Sequence, residues 1–403
     1  MDPESRPQAR RGSAGEVFSA FLKLGLTSFG GPIAHLGYFR HEFVERRRWI
    51  DEAGYADLVA LCQFLPGPAS SQVGFSLGVM RGGLLGGLAA WCGFTLPSAV
   101  LLVLFAYGAV LFSGTAGAGV LHGLKIVAVA IVAQAVWGMA RTLTPDRIRA
   151  AIAVSALVVV TLLSGAWGQI VAILGGALLG SRFCADAAVV PALHLPLPLS
   201  RRSGIAALVL FFVLLGGLPV LAAGTQVPIF AVFDAFYRSG ALVFGGGHVV
   251  LPLLQASVVA PGWVGGNVFL AGYGAAQAVP GPLFSFAAYL GAVMSAPRGG
   301  LAGAALCLFA LFLPGLLLVL GVLPFWQKLR LRPDLQAAMR GANAAVVGLL
   351  AAALYNPVWT GAVHGAGDFA LAALAFVLLV AWRTPPWIVV LLTAAGGALL
   401  ALV

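Results

Sequence analysis

The stretches FLKLGLTSFGG at Phe21–Gly31 and FYRSGALVFGG at Phe236–Gly246 decide the fold that we predict for this chain. When the second is laid over the first with an offset of about 215 residues, aromatic, glycine and cationic positions coincide. Lys23 falls on Arg238, and both stretches end in Phe-Gly-Gly. Such self-similarity at a fixed distance indicates an internal repeat.

Further matches follow in the same order along both halves. They pair Trp49 with Trp263, QFLPGP at Gln63–Pro68 with QAVPGP at Gln277–Pro282, RGG at Arg81–Gly83 with RGG at Arg298–Gly300, Leu96-Pro97 with Leu313-Pro314, and a helix beginning near Gly123 and Lys125 with one beginning near Gly341 and Asn343. One such match could arise by chance in a glycine-rich chain, whereas a series in one order indicates duplication.

The composition predicts a membrane protein. Of the 403 residues, 61% are hydrophobic and only 9% are charged, and the mean hydropathy is +1.00. The apolar stretches 84–111, 120–139 and 301–323 each approach or exceed the roughly 20 residues that span a bilayer core. We therefore predict an all-α polytopic membrane protein.

The basic loops predict that the two halves point in opposite directions across the membrane. Lys and Arg favour the cytoplasmic side of short loops. The stretch 113–119 in the first half is uncharged, whereas its counterpart, 327–340, is basic. We predict inverted-topology repeats with a cytoplasmic N-terminus and a C-terminus on the other side. The parts are a tail over 1–16, a first repeat over 17–183, a linker with one extra transmembrane helix over 184–227, and a second repeat over 228–403.

Several function classes are disfavoured by the sequence. The net charge of +10 lies largely in short loops between apolar runs, so it reports orientation and not nucleic-acid binding. The four cysteines show neither a CxxC pair nor metal-ligand spacing. No lysine follows a glycine as in a phosphate-binding loop. We predict no enzyme activity, no cofactor and no metal.

Glycine and proline interrupt two membrane segments in each half. FGGP at 29–32, FGGG at 244–247 and the PGP triplets at 66–68 and 280–282 break the helical hydrogen-bond ladder. Backbone freed in this way must be buried in protein or line a wet cavity. Each broken segment is either a re-entrant hairpin or a crossing that brings the total to about 13 segments, and the sequence leaves both open.

The breaks predict an anion site. A half-helix that restarts at a break directs free N–H groups and a positive dipole end into the cavity. Lys23 and Arg238 precede the FGG breaks at equivalent positions, where they either serve the site or extend to the membrane surface. A guanidinium suits bidentate binding of a tetrahedral oxyanion.

Polar residues near the breaks complete the predicted substrate site. Ser70, Ser71 and Ser285 follow the PGP triplets and either donate to substrate or bond to backbone carbonyls. Gln63 and Gln277 precede the triplets, and Lys125 is paired with Asn343 by the repeat. For His35 and His248 we favour a structural role over proton transfer. The predicted set is Lys23, Gly30, Gly31, Gln63, Pro66, Gly67, Ser70, Ser71, Lys125, Arg238, Gly245, Gly246, Gln277, Pro280, Gly281, Ser285 and Asn343.

The motifs SFGGP, a basic stretch with Trp49, LPGP, FGGGH and VPGP resemble those of the chromate ion transporter family in its two-domain, long-chain form. The resemblance runs from about Phe18 to Val403. It implies chromate efflux from the bacterial cytoplasm and chromate resistance, by an inner-membrane protein with antiparallel halves and about 13 transmembrane segments. The orientation predicted from the basic loops then puts the C-terminus in the periplasm. It also implies that the paired FGG and PGP glycines and prolines are the family's motif positions.

The substrate is expected to be chromate or sulfate, since both are tetrahedral dianions of similar size. Besides membrane lipid, a homodimer partner is expected. A passive anion channel, or an intramembrane enzyme acting on a phosphorylated lipid carrier, is the alternative function. The enzyme is disfavoured because the sequence shows no paired carboxylates or metal cluster near a membrane surface.

Overall fold

The structure is a computed structural model that describes residues 12–109, 114–163, 165–184, 200–225, 227–295 and 299–402. Arg298 of the second RGG motif, most of the predicted tail and most of the linker before residue 200 lie outside these ranges. The helices are α1 (Ala14–Thr27), α2 (Gly31–Phe39), α3 (Glu52–Phe64), α4 (Ala69–Gly108), α5 (Gly114–Leu143), α6 (Arg147–Leu162), α7 (Ala166–Phe183), α8 (Arg201–Gly224), α9 (Pro228–Ala241), α10 (Val250–Leu254), α11 (Gly266–Ala276), α12 (Phe286–Val293), α13 (Gly300–Val322), α14 (Trp326–Leu329), α15 (Pro333–Ala353), α16 (Ala366–Val380) and α17 (Pro386–Leu400).

Shorter helical turns extend several of these helices. Turns of π-helix follow α2, α10 and α15 over Arg40–Arg46, Gln255–Val259 and Leu354–Trp359. Turns of 3₁₀-helix occupy Gly247–Val249, Leu283–Ser285 and Leu323–Phe325. The Ser13 hydroxyl accepts from the Glu16 amide at 3.1 Å and so caps the start of α1.

The helices have the length and composition of membrane spans. Five of those described are long and apolar enough to cross a bilayer: Ala69–Gly108, Gly114–Leu143, Arg201–Gly224, Gly300–Leu329 and Pro333–Trp359. Four shorter apolar helices, including Ala366–Val380 and Pro386–Leu400, accompany them. The class predicted from composition, an all-helical polytopic membrane protein, is therefore confirmed.

The order of elements repeats along the chain. The series α1 to α7 has its counterpart in α9 to α17, and α8 stands between the two. Gly82 and Gly83 have non-helical backbone inside α4, so α4 consists of a first part over 69–81 and a second part over 84–108. These two parts correspond to α12 and α13 in the second series.

The first broken segment folds back on itself. At its start, the Gly12 amide donates to the Arg81 carbonyl at 2.9 Å. At its end, Trp49 lies under the Arg81 guanidinium, whose carbon is 5.3 Å from the ring centre. In between, the stacked rings of Phe21 and Phe43 hold α1 against the chain after α2, with centres 4.7 Å apart. Both ends of the segment therefore meet at Arg81.

The second broken segment forms a similar hairpin. α3 begins shortly after Trp49, at the end of the molecule where Arg81 lies, and the first part of α4 ends at Arg81 itself.

The broken segments of the second half also fold back. The Tyr289 hydroxyl of α12 donates to the Val268 carbonyl of α11 at 3.0 Å. The Ser239 and Ser257 hydroxyls, also 3.0 Å apart, join α9 to the chain after α10. Each break is thus the tip of a hairpin.

The two halves exchange their last helices. α7 packs on α15, where a Cβ on Gly180 would lie 2.6 Å from the Gly341 Cα. α17 packs on α5, where a Cβ on Gly397 would lie 2.6 Å from the Gly123 nitrogen. Only glycine allows the backbones to approach this closely. Each half therefore completes its helix packing with a helix from the other.

Candidate functional site

The four breaks meet inside the molecule. The Gly67 amide of the first PGP break donates to the Val243 carbonyl at 2.7 Å, just before the second FGG. Reciprocally, the Gly281 amide of the second PGP break donates to the Ser28 carbonyl at 2.9 Å, just before the first FGG. A Cβ on Gly247 would lie 3.3 Å from the Pro32 ring, so the FGG breaks also adjoin. We call residues 28–32, 65–68, 243–247 and 280–282 the break junction.

The glycines of the junction are required by backbone conformation. Gly67 and Gly281 have φ values of +122° and +96°. Gly30 and Gly245 have φ values of +99° and +73°. Residues with a Cβ rarely adopt these angles, and glycine adopts them without steric cost. The motif glycines thus permit the sharp turns at which the hairpins reverse.

Helices restart at the junction with their N-termini towards it. α2 begins at Gly31 with proline in its first turn, and α4 begins at Ala69 directly after the PGP break. In the second half, helical turns restart at Gly247 and at Leu283. The first N–H groups of a helix have no partner within the helix, and the dipole adds partial positive charge. The junction therefore presents a surface suited to an anion.

Buried polar atoms without a partner surround the junction. They are Ser28 Oγ, His35 Nε2, Ser71 Oγ, Gln72 Oε1, Gln277 Nε2 and Asn343 Oδ1. Buried polar groups in proteins are nearly always hydrogen-bonded, so such a group implies a ligand or ordered water. Asn343 lies next to a break, because its Oδ1 would be 3.6 Å from a Cβ on Gly245.

Other predicted residues are placed less centrally. The Ser70 hydroxyl lies 3.4 Å from His35 Nδ1, and both side chains are buried. The Ser285 hydroxyl donates to the Pro282 carbonyl at 2.7 Å, so it satisfies backbone as in the alternative interpretation. Gln63 is exposed on α3, unlike its half-buried counterpart Gln277.

The cations near the breaks have partners. Lys23 lies 3.4 Å from the buried Glu42 carboxylate, which also binds Arg46 and Arg47. In the second half, the Arg238 guanidinium donates to Asp234 at 2.5 Å. The Lys125 ammonium group donates to the Asn267 amide oxygen at 3.2 Å. Lys23 and Arg238 therefore lie about two helical turns before the FGG glycines, and their positive charges are already balanced by carboxylates.

Gln72 is a central residue that the sequence analysis missed. Its Nε2 donates to the Pro66 carbonyl and to the Gly315 carbonyl, both at 3.0 Å, and its side chain is wholly buried. It therefore bonds the first PGP break to α13 of the other half. A polar residue one turn after PGP in an apolar helix was the available signal. Ser28 was missed because its equivalent in the second half is the apolar Val243, so the repeat gives no paired polar residue at this position.

Comparison with known proteins identifies the family of the chain. The sequence model of a family described as "Chromate transporter" matches residues 15–181 and again residues 230–399. The chain belongs to the chromate transporter family. The two matches correspond to the two series of helices, α1 to α7 and α9 to α17, and leave α8 between them. The resemblance noted from the FGG and PGP motifs is thereby confirmed.

Curated relatives match over most of the chain. A "Chromate transport protein" of Pseudomonas aeruginosa is 29% identical over 95% of this chain and 91% of that protein. A "Probable chromate transport protein" of Synechococcus elongatus is 28% identical over 93% of each. A "Chromate transport protein" of Cupriavidus metallidurans is 27% identical over 83% of this chain and 80% of that protein. No solved structure matches.

Within the described ranges, no cluster of three or more His, Cys, Asp or Glu side chains is placed to hold a metal ion. The chemistry at the break junction is instead that of backbone amides, hydroxyls, side-chain amides and imidazole. Groups of these kinds can hold an oxyanion through hydrogen bonds alone.

Proposed function

We propose that this chain is a secondary transporter that exports chromate from the bacterial cytoplasm and binds it at the break junction. The observation that carries the proposal is the reciprocal pair of bonds from Gly67 to Val243 and from Gly281 to Ser28. Because each half completes the other's break, the helix N-termini of both halves point towards one place. Unpartnered buried hydroxyl and amide groups at the same place supply further hydrogen bonds.

The proposed binding set keeps the residues chosen from the sequence and adds three. Ser28, His35 and Gln72 join it because they are buried at the junction with a polar atom unpartnered. Lys23 and Arg238 contribute positive potential from about two helical turns before the breaks and not through direct contact. Lys125 stays in the set as predicted from the sequence, and its ammonium group binds Asn267 near the start of α11. Sulfate shares the shape and charge of chromate, so we expect it to compete for the site.

For topology we propose inverted repeats whose breaks are the tips of re-entrant hairpins. The buried Asp57–Arg330 ion pair supports this, because it joins the second turn of α3 to the residue directly after α14, the short helix that follows α13. The second part of α4 begins beside Arg81, at this same end of the molecule, where α13 ends. Equivalent helices therefore run antiparallel. The prediction of about 13 membrane segments then counts each hairpin once.

In this topology the N-terminus is cytoplasmic and the C-terminus periplasmic, in the inner membrane. The exchanged helices also affect how access alternates. Since α7 packs on α15 and α17 packs on α5, the halves cannot separate as rigid bodies. We propose that the hairpins, with α13 and the second part of α4, move against the exchanged helices. A homodimer stays a prediction.

Export requires no ATP. The membrane potential is inside-negative, and moving a charge across it is worth about 2.3 kcal/mol per 100 mV, so a dianion releases about twice that on leaving. Accumulation against a gradient of chromate is then driven by the potential alone or by a coupled ion. Confirmed transport would also account for chromate resistance in the host cell.

Uptake of radiolabelled chromate into energised everted vesicles tests this proposal. We expect uptake that saturates, depends on the potential, and falls in the presence of excess sulfate. The Gly67→Ala variant should lose uptake while Gly138→Ala, at an ordinary helical glycine with open space around it, should keep it. Uptake that does not saturate would indicate a channel. Absence of uptake above that of empty vesicles would contradict the proposal.

A further inference from the structure

Carboxylates in the hairpins are held in ion pairs. Glu42 is bonded to Lys23, Arg46 and Arg47. Asp234 is bonded to Arg238, and the buried Asp57 is bonded to Arg330. A proton that bound any of them would break a pair and leave a cation uncompensated, which is costly away from water. These groups are poor carriers for a proton that accompanies an anion.

His35 differs from these carboxylates. It lies one turn into α2, is only 1% exposed, and sits beside the break junction. Its Nδ1 lies 3.4 Å from the Ser70 hydroxyl. Its buried Nε2 has no partner with good hydrogen-bond geometry, although the Ser28 backbone also approaches the ring. The Phe94 ring meets it edge-on, with centres 5.2 Å apart. An imidazole with one satisfied and one unsatisfied nitrogen has unused capacity for a proton and for a ligand.

The groups that face His35 are uncharged. Ser70 and Phe94 belong to α4, and the Ser28 backbone lies before α2. The charged groups on adjoining elements bond elsewhere: Lys23, Arg46 and Arg47 to Glu42, and Arg81 to Glu16. An imidazolium at this place would therefore find its counter-charge in a bound anion. Phe94 and Ser28 also contact the Gly281 break, which places the ring next to the proposed site.

We propose that His35 takes up one proton when an oxyanion occupies the break junction. The inference rests on the proposed function, since it needs an anion at that place. The proton comes from water and binds the ring nitrogen that lacks one, and no bond of the anion breaks. Both ring nitrogens then donate, one to Ser70 and the other to an anion oxygen. The imidazolium and the anion stabilise each other, so the two bind cooperatively.

The second half offers no equivalent proton site. When the two halves are aligned, the residue equivalent to His35 is Val250. His248, the histidine nearest to the second FGG break, has its Nδ1 2.8 Å from the Tyr273 hydroxyl and, unlike His35, is only partly buried and is not among the described residues with a buried unpartnered atom. One proton per anion follows. While His35 is neutral in the empty protein, the affinity for the anion should rise about tenfold for each unit by which pH falls.

Isothermal titration calorimetry of the purified full-length protein tests the inference. Sodium sulfate is the probe, because sulfate itself does not titrate near neutral pH and chromate does. Binding is measured at one pH in two buffers with different ionisation enthalpies, and the difference in heat gives the protons taken up. We expect about one proton per sulfate in the native protein. Sulfate binding without proton uptake would overturn the inference and leave the proposed function standing.

Substitution identifies the group. His35→Gln should bind sulfate without proton uptake and with affinity that no longer changes with pH. The matched control His248→Gln should still take up about one proton. If His35→Gln does not fold, His35→Asn provides the same comparison. Proton uptake unchanged in a folded His35 variant would overturn the assignment. Absence of sulfate and chromate binding to the native protein at every pH would overturn the proposed function and this inference together.

Discussion

The Gly67 amide donates a hydrogen bond to the Val243 carbonyl at 2.7 Å, although the two residues belong to different halves of the chain. The bond from Gly281 to Ser28 repeats the relationship with the halves exchanged. A PGP break therefore completes the FGG break of the other half, and neither half contains a whole junction. This explains why two copies of a motif in one chain can form one site.

Alanine at the PGP glycines should abolish transport. At Gly67, with φ at +122°, a Cβ would lie 2.9 Å from Gln72 Nε2 and 3.1 Å from the Gly315 Cα. Strain at such a φ costs on the order of 1–3 kcal/mol, and displacement of the amide would also break the bond to Val243. Gly281→Ala should act in the same way. Chromate uptake and the melting temperature in detergent are the measurements.

Gly138→Ala is the control for both variants, because that helical glycine has open space around it. We expect normal uptake and an unchanged or slightly raised melting temperature. Full activity in Gly67→Ala would mean that the junction tolerates a side chain and does not hold the anion.

Arg238→Gln should lower both stability and transport. The substitution leaves the Asp234 carboxylate buried without its cation, and stranding a buried charge is destabilising. In the double variant Asp234→Asn/Arg238→Gln the melting temperature should recover. The KM for chromate should stay raised, because the lost cation lies one helical turn nearer to the break than the carboxylate that is removed with it. Full recovery of the KM would show that Arg238 serves only as the partner of Asp234.

Asp57→Asn should destabilise the protein by about 3–5 kcal/mol, because it leaves the buried Arg330 guanidinium without its carboxylate. Trp326 Nε1 also donates to this carboxylate at 3.2 Å, so the change affects two donors. The double variant Asp57→Asn/Arg330→Gln should lose less stability than the sum of the single variants. Thermal unfolding of the purified proteins measures this coupling.

A surface ion pair provides the control for the Asp57 and Arg330 variants. Arg332 and Asp334 form one at 2.7 Å with both side chains exposed. Arg332→Gln should leave the melting temperature unchanged, since solvent screens such pairs. Additive losses in the Asp57 and Arg330 variants would contradict a direct pair between them.

Labelling of single cysteines should place the first hairpin. In a background without Cys62, Cys92, Cys184 and Cys307, reporters at Glu45 and Arg332 should react with an impermeant maleimide from the cytoplasmic side. Both positions are exposed, and the chain after α2 meets Arg81 at the end where α13 finishes. A reporter at Gly365 should react from the periplasm. Labelling of the Glu45 reporter from the periplasm would mean that the first broken segment crosses.

The sequence determined the class of fold and the family. Long apolar runs identify the membrane as solvent, because a chain with so few charges cannot stay folded in water. Ordered matches between the halves identify the duplication, since residue order survives divergence. The motif glycines were also readable, because few residues other than glycine adopt a positive φ at a break.

Only the tertiary structure decided whether the broken segments return. A hairpin and a crossing contain the same local signals, and the choice depends on contacts such as that of Trp49 with Arg81, which are remote in sequence. It also decided which polar residues meet. Ser70 and Ser71 are neighbours in sequence, yet Ser70 lies beside His35 while the Ser71 hydroxyl has no partner.

The charged groups can be read from the sequence, whereas their partners are known only from the tertiary structure. The sequence marked Lys23 and Arg238 as cations in apolar segments, and only the fold supplied their carboxylate partners. Composition and local pattern determine what each segment is, because solvation and backbone propensity act residue by residue. Which segments touch depends on the packing of the whole chain. The hydrogen bond from Gly67 to Val243 therefore appears only in the folded structure.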